Sequence, residues 1–215
     1  MNQSWPRRGL YAITADQSDD RQLLEQVEAV LQAGAAWLQY RNKTADSATR
    51  DRQARLLQPV CARHQVPLIV NDDWRLAAAI GADGVHLGEG DGGIAVARRA
   101  LGPQALIGAS CYDRIDLARD AVRAGASHVA FGAFFPSPTK PNARVALPAL
   151  LADAASLGVP RVAIGGITPD NGLSLVAAGA DLLAVISGVF DSPDPAAATH
   201  AYLRCFHSSP KPSQA

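Results

Sequence analysis

The stretch Gly34-Ala35-Ala36-Trp37-Leu38-Gln39-Tyr40 contains the unit that decides the fold, a Gly-Ala pair followed by an apolar run. The pair recurs at Gly81-Ala82, Gly125-Ala126 and Gly179-Ala180, each time after an amphipathic segment and before an apolar one. Many helices end in a left-handed backbone conformation that glycine adopts without strain. Each pair therefore indicates a helix followed by a buried strand. The pairs recur about every 48 residues, which leaves room for two strand–helix units of about 24 residues each.

Working outward from these pairs predicts eight strands that alternate with eight helices. The strands are Leu10–Thr14, Trp37–Arg41, Leu68–Asn71, Gly84–Leu87, Leu106–Ser110, His128–Phe134, Arg161–Ile164 and Leu182–Ile186. The helices are Arg21–Gln32, Ser47–His64, Asp73–Ile80, Gly93–Leu101, Arg114–Ala124, Pro148–Leu157, Pro169–Ala178 and Pro195–Phe206. Eight such units in one small domain predict an α/β fold, a (β/α)8 TIM barrel, rather than an open doubly wound sheet.

The chain of 215 residues is predicted to form one catalytic barrel domain over residues 1–206, with residues 207–215 as a disordered C-terminal tail. Lysine plus arginine and aspartate plus glutamate both number 20, which argues against nucleic acid or a membrane surface as a partner. Three widely spaced cysteines (Cys61, Cys111 and Cys205) favour a reducing compartment. With no apolar signal segment near Met1, we expect a cytoplasmic protein.

Polar residues follow the predicted second strand, at the end of the barrel where enzymes of this architecture hold their active sites. Strand alternation places Gln39, Arg41 and Lys43 on one side of the chain. Two cations and an amide in a barrel mouth are costly unless a ligand meets them. The alternative is a strand end that frays into solvent.

Carboxylates follow the third and fourth strands. Asn71-Asp72-Asp73 ends one strand, and Asp91 follows the other. Because adjacent strands lie ~4.8 Å apart, Asp72 and Asp91 can converge on Mg²⁺, which prefers oxygen ligands and leaves positions for phosphate and water. The alternative is that both are helix N-caps, a role that Asp73 fits better than metal binding.

Groups suited to anions follow the remaining strands. Ser110 ends the fifth strand, and a proline-rich loop after the sixth carries Ser137, Thr139 and Lys140. Gly165-Gly166 follows the seventh strand and Ser187 the eighth, where this architecture has its recurrent phosphate site. His86 is interpreted as a structural histidine and His128 as incidental, and no Ser/His/Asp arrangement suggests hydrolysis.

These residues carry a resemblance to the thiamine-phosphate synthase family, which extends from Leu10 to about Phe190. The likeness lies in the order and spacing of short motifs: Gln39-x-Arg41-x-Lys43, Asn71-Asp72, Gly84-Val85-His86-Leu87-Gly88 with Asp91, Phe135-Pro136-Ser137-Pro138-Thr139-Lys140, Ala163-Ile164-Gly165-Gly166-Ile167 and Ile186-Ser187. The family joins 4-amino-2-methyl-5-hydroxymethylpyrimidine diphosphate to a thiazole phosphate and releases pyrophosphate. The family mechanism is dissociative, which would explain why no protein nucleophile stands out.

The resemblance implies a role for each candidate. Mg²⁺ would be bound by Asp72 and Asp91, and the diphosphate by Arg41, Lys43, Asn71, Ser110 and Lys140, with Gln39 near the pyrimidine. Ser137 and Thr139 would lie near the thiazole, and Gly166, Ile186 and Ser187 would hold its phosphate. Lys140, Arg41 and Ser110 would be catalytic. The implied partners are two small molecules, with no nucleic acid and no membrane, and a homo-oligomer is compatible with the sequence.

Two other functions are weighed against this one. A thiazole tautomerase-like isomerase shares the barrel but relies on a histidine after the fifth strand, where Cys111-Tyr112-Asp113 offers none. A non-catalytic sensor of phosphate ligands would not need Asp72, Asp91 and Lys140 together.

Overall fold

The computed structural model describes residues 5–91, 93–136 and 145–207, and eight parallel strands in them form a closed barrel. The strands are β1 (Gly9–Ile13), β2 (Trp37–Tyr40), β3 (Leu68–Asn71), β4 (Gly84–Leu87), β5 (Leu106–Tyr112), β6 (His128–Phe131), β7 (Arg161–Ile164) and β8 (Leu182–Val185). They pair in chain order, and β8 closes on β1 with Leu10 opposite Leu183. The barrel prediction is confirmed, and this closing pair excludes an open sheet.

Helices connect the strands on the outside of the barrel. They are α1 (Asp20–Gln32), α2 (Ser47–His64), α3 (Trp74–Ile80), α4 (Ile94–Leu101), α5 (Ile115–Arg123), α6 (Ala149–Asp153), α7 (Pro169–Ala177), α8 (Ser187–Phe190) and α9 (Pro195–His207). Side-chain caps at Asp19, Asp73 and Thr168 supply acceptors for the first N–H groups of α1, α3 and α7. The short helix α8 lies between β8 and α9 and was not among the predicted helices.

Several predicted bounds shift by one or two residues, and two predicted elements end clearly earlier in the structure. The sixth strand was predicted to extend to Phe134, but β6 ends at Phe131, where the Gly132 backbone packs so closely on the Ile164 carbonyl that a Cβ would overlap it. The sixth helix was predicted over Pro148–Leu157, but α6 ends at Asp153 and a 3₁₀ turn over Ala154–Leu157 follows. Residues 208–215 of the predicted tail lie outside the described residues.

The strands are apolar because they are buried on both faces, one against the barrel axis and one against the helices. The barrel interior is packed with Tyr11, Ile13, Trp37, Ile69, Ala130, Val162, Leu182 and Ala184. The opposite faces pack on the helices in a larger aliphatic cluster. None of the helices in the described ranges has the length and hydrophobicity needed to span a membrane.

Candidate active site

A cleft of about 910 Å³ opens at the carboxyl ends of the strands. All the predicted site residues that belong to the described ranges line it: Gln39, Arg41, Lys43, Asn71, Asp72, Asp91, Ser110, Gly166, Ile186 and Ser187. An adjoining depression of about 480 Å³ shares Arg41, Lys43, Asn71, Asp72 and Asp91 with it. The remaining predicted residues, Ser137, Thr139 and Lys140, lie outside the described residues.

Asp16, which the sequence did not identify as a site residue, holds the segment after β2 that carries Arg41 and Lys43. Arg41 Nη1 donates to Asp16 Oδ1 at 2.9 Å, and the backbone N–H of Lys43 donates to the same oxygen at 2.8 Å. The Thr14 hydroxyl also bridges both backbone groups of Arg41, at 2.8 Å each. Asp16 follows β1 just as the other site residues follow their strands, and that position is the signal that could have identified it.

Asp72 and Asp91 come together as predicted. Asp72 has a left-handed backbone with φ of 63°, and its N–H donates to the His86 carbonyl at 2.8 Å. Asp91 Oδ2 accepts from the Gly88 N–H at 2.6 Å. Neither caps a helix, since α3 is capped by Asp73, and α4 follows Gly93 without a side-chain cap. The prediction that Asp73 is a cap is confirmed.

The electrostatics of this carboxylate pair favour a cation. Burial raises the pKa of Asp72, the Lys43 ammonium opposes that shift, and the charge and hydrogen bonding of Asp91 raise it further. Lys43 Nζ lies 3.4 Å from Asp72 Oδ2, but its side chain is 57% exposed, so its charge is well screened there. Asp72 therefore meets a second carboxylate on one side and a largely exposed ammonium on the other.

Ser110 and Gln39 are positioned by other polar groups inside the barrel. The Ser110 hydroxyl lies 3.0 Å from His86 Nε2, and Gln39 Nε2 donates to the Tyr11 hydroxyl at 2.8 Å. His86 also contacts His128, which is fully buried in the barrel interior, with 3.4 Å between His86 Nδ1 and His128 Nε2. The sequence did not indicate this buried contact between the two histidines. The His128 ring lies far from the surface because strand pairing turns it inward, which its position in the sequence did not reveal.

The ends of β7 and β8 form the other side of the cleft. Gly166 has φ of 62°, and a Cβ there would lie 2.5 Å from the Pro136 carbonyl oxygen, so only glycine fits. Ile186 and exposed Ser187 begin the short helix α8. Loops after the seventh and eighth strands, with the N-terminus of a short extra helix, form the common phosphate site of TIM barrels.

The chain matches a family model described as thiamine monophosphate synthase over residues 10–189. The chain belongs to the thiamine monophosphate synthase family. Apart from Gly9, the matched range contains all eight strands, and it includes both carboxylates and both sides of the cleft.

Individual members of the thiamine monophosphate synthase family are similar over nearly the full length. Proteins named thiamine-phosphate synthase from Xanthomonas campestris pv. campestris and Chromobacterium violaceum are each 58% identical to the chain. The first match covers 93% of this chain and 96% of the relative, and the second covers 92% and 96%. The solved thiamine phosphate pyrophosphorylase from Pyrococcus furiosus is 33% identical, with a TM-score of 0.82 over 94% of this chain and 96% of that chain.

Proposed function

We propose that the cleft at the barrel mouth carries out the reaction of the family. The protein is a transferase that joins 4-amino-2-methyl-5-hydroxymethylpyrimidine diphosphate to 4-methyl-5-(2-phosphooxyethyl)thiazole, which gives thiamine phosphate and pyrophosphate. The observation that supports this assignment is that two separate sets of residues line the cleft, and each set can hold a phosphate group. Cations and carboxylates follow β2 to β4, and glycine-rich backbone follows β7 and β8.

The β2–β4 side is suited to the diphosphate. Arg41 and Lys43 supply positive charge, and Asn71 on β3 and Ser110 on β5 can donate hydrogen bonds. Asp16 holds Arg41 in place, which lowers the entropy lost when a diphosphate binds. Lys140 remains a predicted ligand of the same anion.

Mg²⁺ fits the Asp72–Asp91 pair. The two carboxylates carry more negative charge than Lys43 balances, and a divalent cation would offset that repulsion. Mg²⁺ is commonly bound by one or two carboxylates plus substrate phosphates and water, which two carboxylates at the mouth can provide. When bound, Mg²⁺ would stabilise the negative charge that develops on the departing diphosphate.

The β7–β8 side is suited to the thiazole monophosphate. The Gly166 backbone lets an anion approach closely, and Ile186 and Ser187 add backbone N–H groups and a hydroxyl at the start of α8. Ser137 and Thr139 are predicted to lie near the thiazole ring. The two substrates would then face each other across one cleft.

We infer a dissociative substitution, as in the reaction of the family, in which pyrophosphate leaves before the thiazole nitrogen attacks. Cys111 is buried, and burial raises the pKa of its thiol to about 12, so it is not a thiolate nucleophile at neutral pH. The chain's role is then to orient both substrates, hold the leaving group with Arg41 and Ser110, and limit access of water. The tautomerase alternative is not supported, because the similar relatives are named thiamine-phosphate synthase.

The direct test is pyrophosphate release with both substrates, with and without Mg²⁺. We expect release that requires the pyrimidine diphosphate, the thiazole phosphate and the metal together. Isomerisation of the thiazole without pyrophosphate release would overturn the proposal in favour of a tautomerase. Binding of either phosphate with no turnover in the presence of Mg²⁺ would favour a sensor instead.

A further inference from the structure

A line of polar side chains leads from the cleft into the barrel interior. Ser110 on β5 lines the cleft, and its hydroxyl lies 3.0 Å from His86 Nε2 on β4. His86 Nδ1 lies 3.4 Å from Nε2 of His128 on β6. His86 is 8% exposed and His128 is 0% exposed, so the line runs from the substrate side to the middle of the barrel.

Gly108 allows the two imidazoles to meet. It lies on β5 directly between them, paired with His86 of β4 on one side and His128 of β6 on the other. A Cβ at this position would overlap both His86 Nδ1 and His128 Nε2. Any other residue at 108 would therefore force the rings apart, so the contact depends on all three positions.

Both imidazoles are neutral in this environment. Both rings lie in the barrel interior, where His86 is 8% exposed and His128 is 0% exposed, and a charged imidazole is costly there without a charged partner. A neutral imidazole carries one N–H donor and one bare nitrogen acceptor. A hydrogen bond between the two rings therefore uses a single hydrogen. Whether His86 or His128 carries that hydrogen decides whether Ser110 donates a hydrogen bond to His86 or accepts one from it.

The surroundings of His128 decide the direction. Its Nδ1 is buried and has no hydrogen-bond partner in the described part of the chain. If His86 donated to His128, the single proton of His128 would be on Nδ1, as a buried N–H donor without an acceptor, which folded proteins rarely tolerate. His86 Nε2 would then be bare and would take the hydroxyl hydrogen of Ser110.

If His128 instead donates to His86, the buried Nδ1 of His128 carries no hydrogen and is only an acceptor without a partner. We infer that His128 is a positioning residue: its Nε2–H donates to His86 Nδ1, and His86 Nε2–H donates to Ser110 Oγ. The Ser110 hydroxyl hydrogen is then available to an oxygen of the ligand in the cleft. That this ligand is the diphosphate rests on the proposed function, whereas the direction of the hydrogen bonds does not.

The hydrogen-bond direction is measured first, in the free wild-type protein, by nitrogen NMR of the two imidazoles. We expect both rings in the neutral form with the proton on Nε2 and a bare Nδ1. A proton on His86 Nδ1 would overturn the inference. This result is independent of turnover, so it stands or fails separately from the proposed activity.

The effect on Ser110 is measured with a matched pair of variants. His128→Gln places an amide donor near the position of Nε2, whereas His128→Phe keeps a ring of similar size without a donor. We expect His128→Phe to lower kcat/KM for the pyrimidine diphosphate by roughly 5- to 10-fold, the effect of one hydrogen bond, with the KM for the thiazole phosphate unchanged. His128→Gln should recover most of that loss.

Equal losses in the Gln and Phe variants, or an equal rise in both KM values, would show that His128 only fills space and would contradict the inference. Thermal unfolding of each variant shows that the compared proteins are folded. If His128→Phe does not fold, the NMR measurement on the wild-type protein still decides the direction of the hydrogen bonds.

Discussion

The two ends of the barrel use charge in different ways. At the amino ends of the strands, charged side chains are matched within the chain: Arg161 Nε donates to Asp181 Oδ2 at 2.9 Å, and Asp83 Oδ2 accepts the Leu68 N–H at 2.9 Å. Arg98 donates to the carbonyls of Gly102, Pro103, Ala105 and Gly125. The Leu68–Asp83, Arg161–Asp181 and Arg98–Gly125 contacts join segments 15, 20 and 27 residues apart in the chain, so charge at this end stabilises the fold.

At the carboxyl ends, Arg41 is paired with Asp16, but the Asp72–Asp91 carboxylate pair is left poorly matched. Asp72 and Asp91 repel each other, and the ammonium of Lys43 lies 3.4 Å from one of them while largely exposed. Such an arrangement costs free energy in the free protein and is relieved when a charged ligand binds. The same residue types therefore stabilise the fold at one end of the barrel and are placed to bind a ligand at the other.

The largest effect on activity is expected from a substitution at the carboxyl ends of the strands. Asp72→Asn should lower kcat/KM by about 10²- to 10³-fold, because it removes charge that organises the leaving diphosphate. The free energy of unfolding should not fall, since the change also removes the repulsion with Asp91. Pyrophosphate release and thermal unfolding measure the two effects.

The control for this variant is its neighbour Asp73, which caps α3. Asp73→Ala should lower stability by about 1 kcal/mol and leave most of the activity. If Asp73→Ala were as inactive as Asp72→Asn, the two carboxylates would not have separate roles.

At the opposite end, Asp181→Ala should act on stability alone. It leaves Arg161, whose side chain is only 16% exposed, without its carboxylate, and we expect a loss of about 2–3 kcal/mol. That loss corresponds to a drop in the melting temperature of roughly 5–10 °C, with kcat/KM unchanged at a temperature where the protein is folded.

Asp51→Ala provides the matched exposed control, because Asp51 pairs with Arg55 in solvent on α2. Its effect on unfolding should stay within about 0.5 kcal/mol. A large loss of activity in Asp181→Ala would remove the contrast between the two ends.

The two histidines inside the barrel should make the stability of the protein depend on pH. The folded-state pKa values of His86 and His128 lie below the unfolded value, so the unfolded chain binds more protons as pH falls below about 6.5. The stability that depends on the two neutral histidines is therefore fully present above that pH and is lost as the pH falls toward about 4. The free energy of unfolding should fall by up to about 1.4 kcal/mol per pH unit for each histidine.

The slope is measured by chemical unfolding between about pH 7 and pH 5. His128→Gln removes one titrating group and should show a shallower dependence than the wild-type protein. Identical slopes in the two proteins would mean that His128 is not protected from protonation in the fold.

The smallest effect is expected on the β7–β8 side of the mouth. Ser187→Ala should raise the KM for the thiazole phosphate by roughly 3- to 10-fold, because one hydroxyl is lost while the backbone N–H groups remain. The KM for the pyrimidine diphosphate should be unchanged. A rise in the second KM instead would place Ser187 on the other side of the cleft and contradict the division of the site.

Helix α8 and Asp16 show where prediction from the sequence ended. A helix of four residues, Ser187–Phe190, is too short for a helical period to be visible in the sequence. Asp16 has the same strand-end position as the predicted site residues, but nothing local indicates that it meets Arg41, which lies 25 residues away in the chain. Both belong to the site only because the strands are neighbours in the barrel.

The order of apolar runs and Gly-Ala pairs alone indicated the barrel, because the burial of strands on both faces and the glycine that follows the helix in each pair are local effects. It also determined which strand ends carry polar residues, and therefore the cleft. The tertiary structure alone decided how side chains distant in sequence pair inside the barrel. His86, Gly108 and His128 come together only when three strands align in register, and that alignment depends on packing throughout the closed sheet.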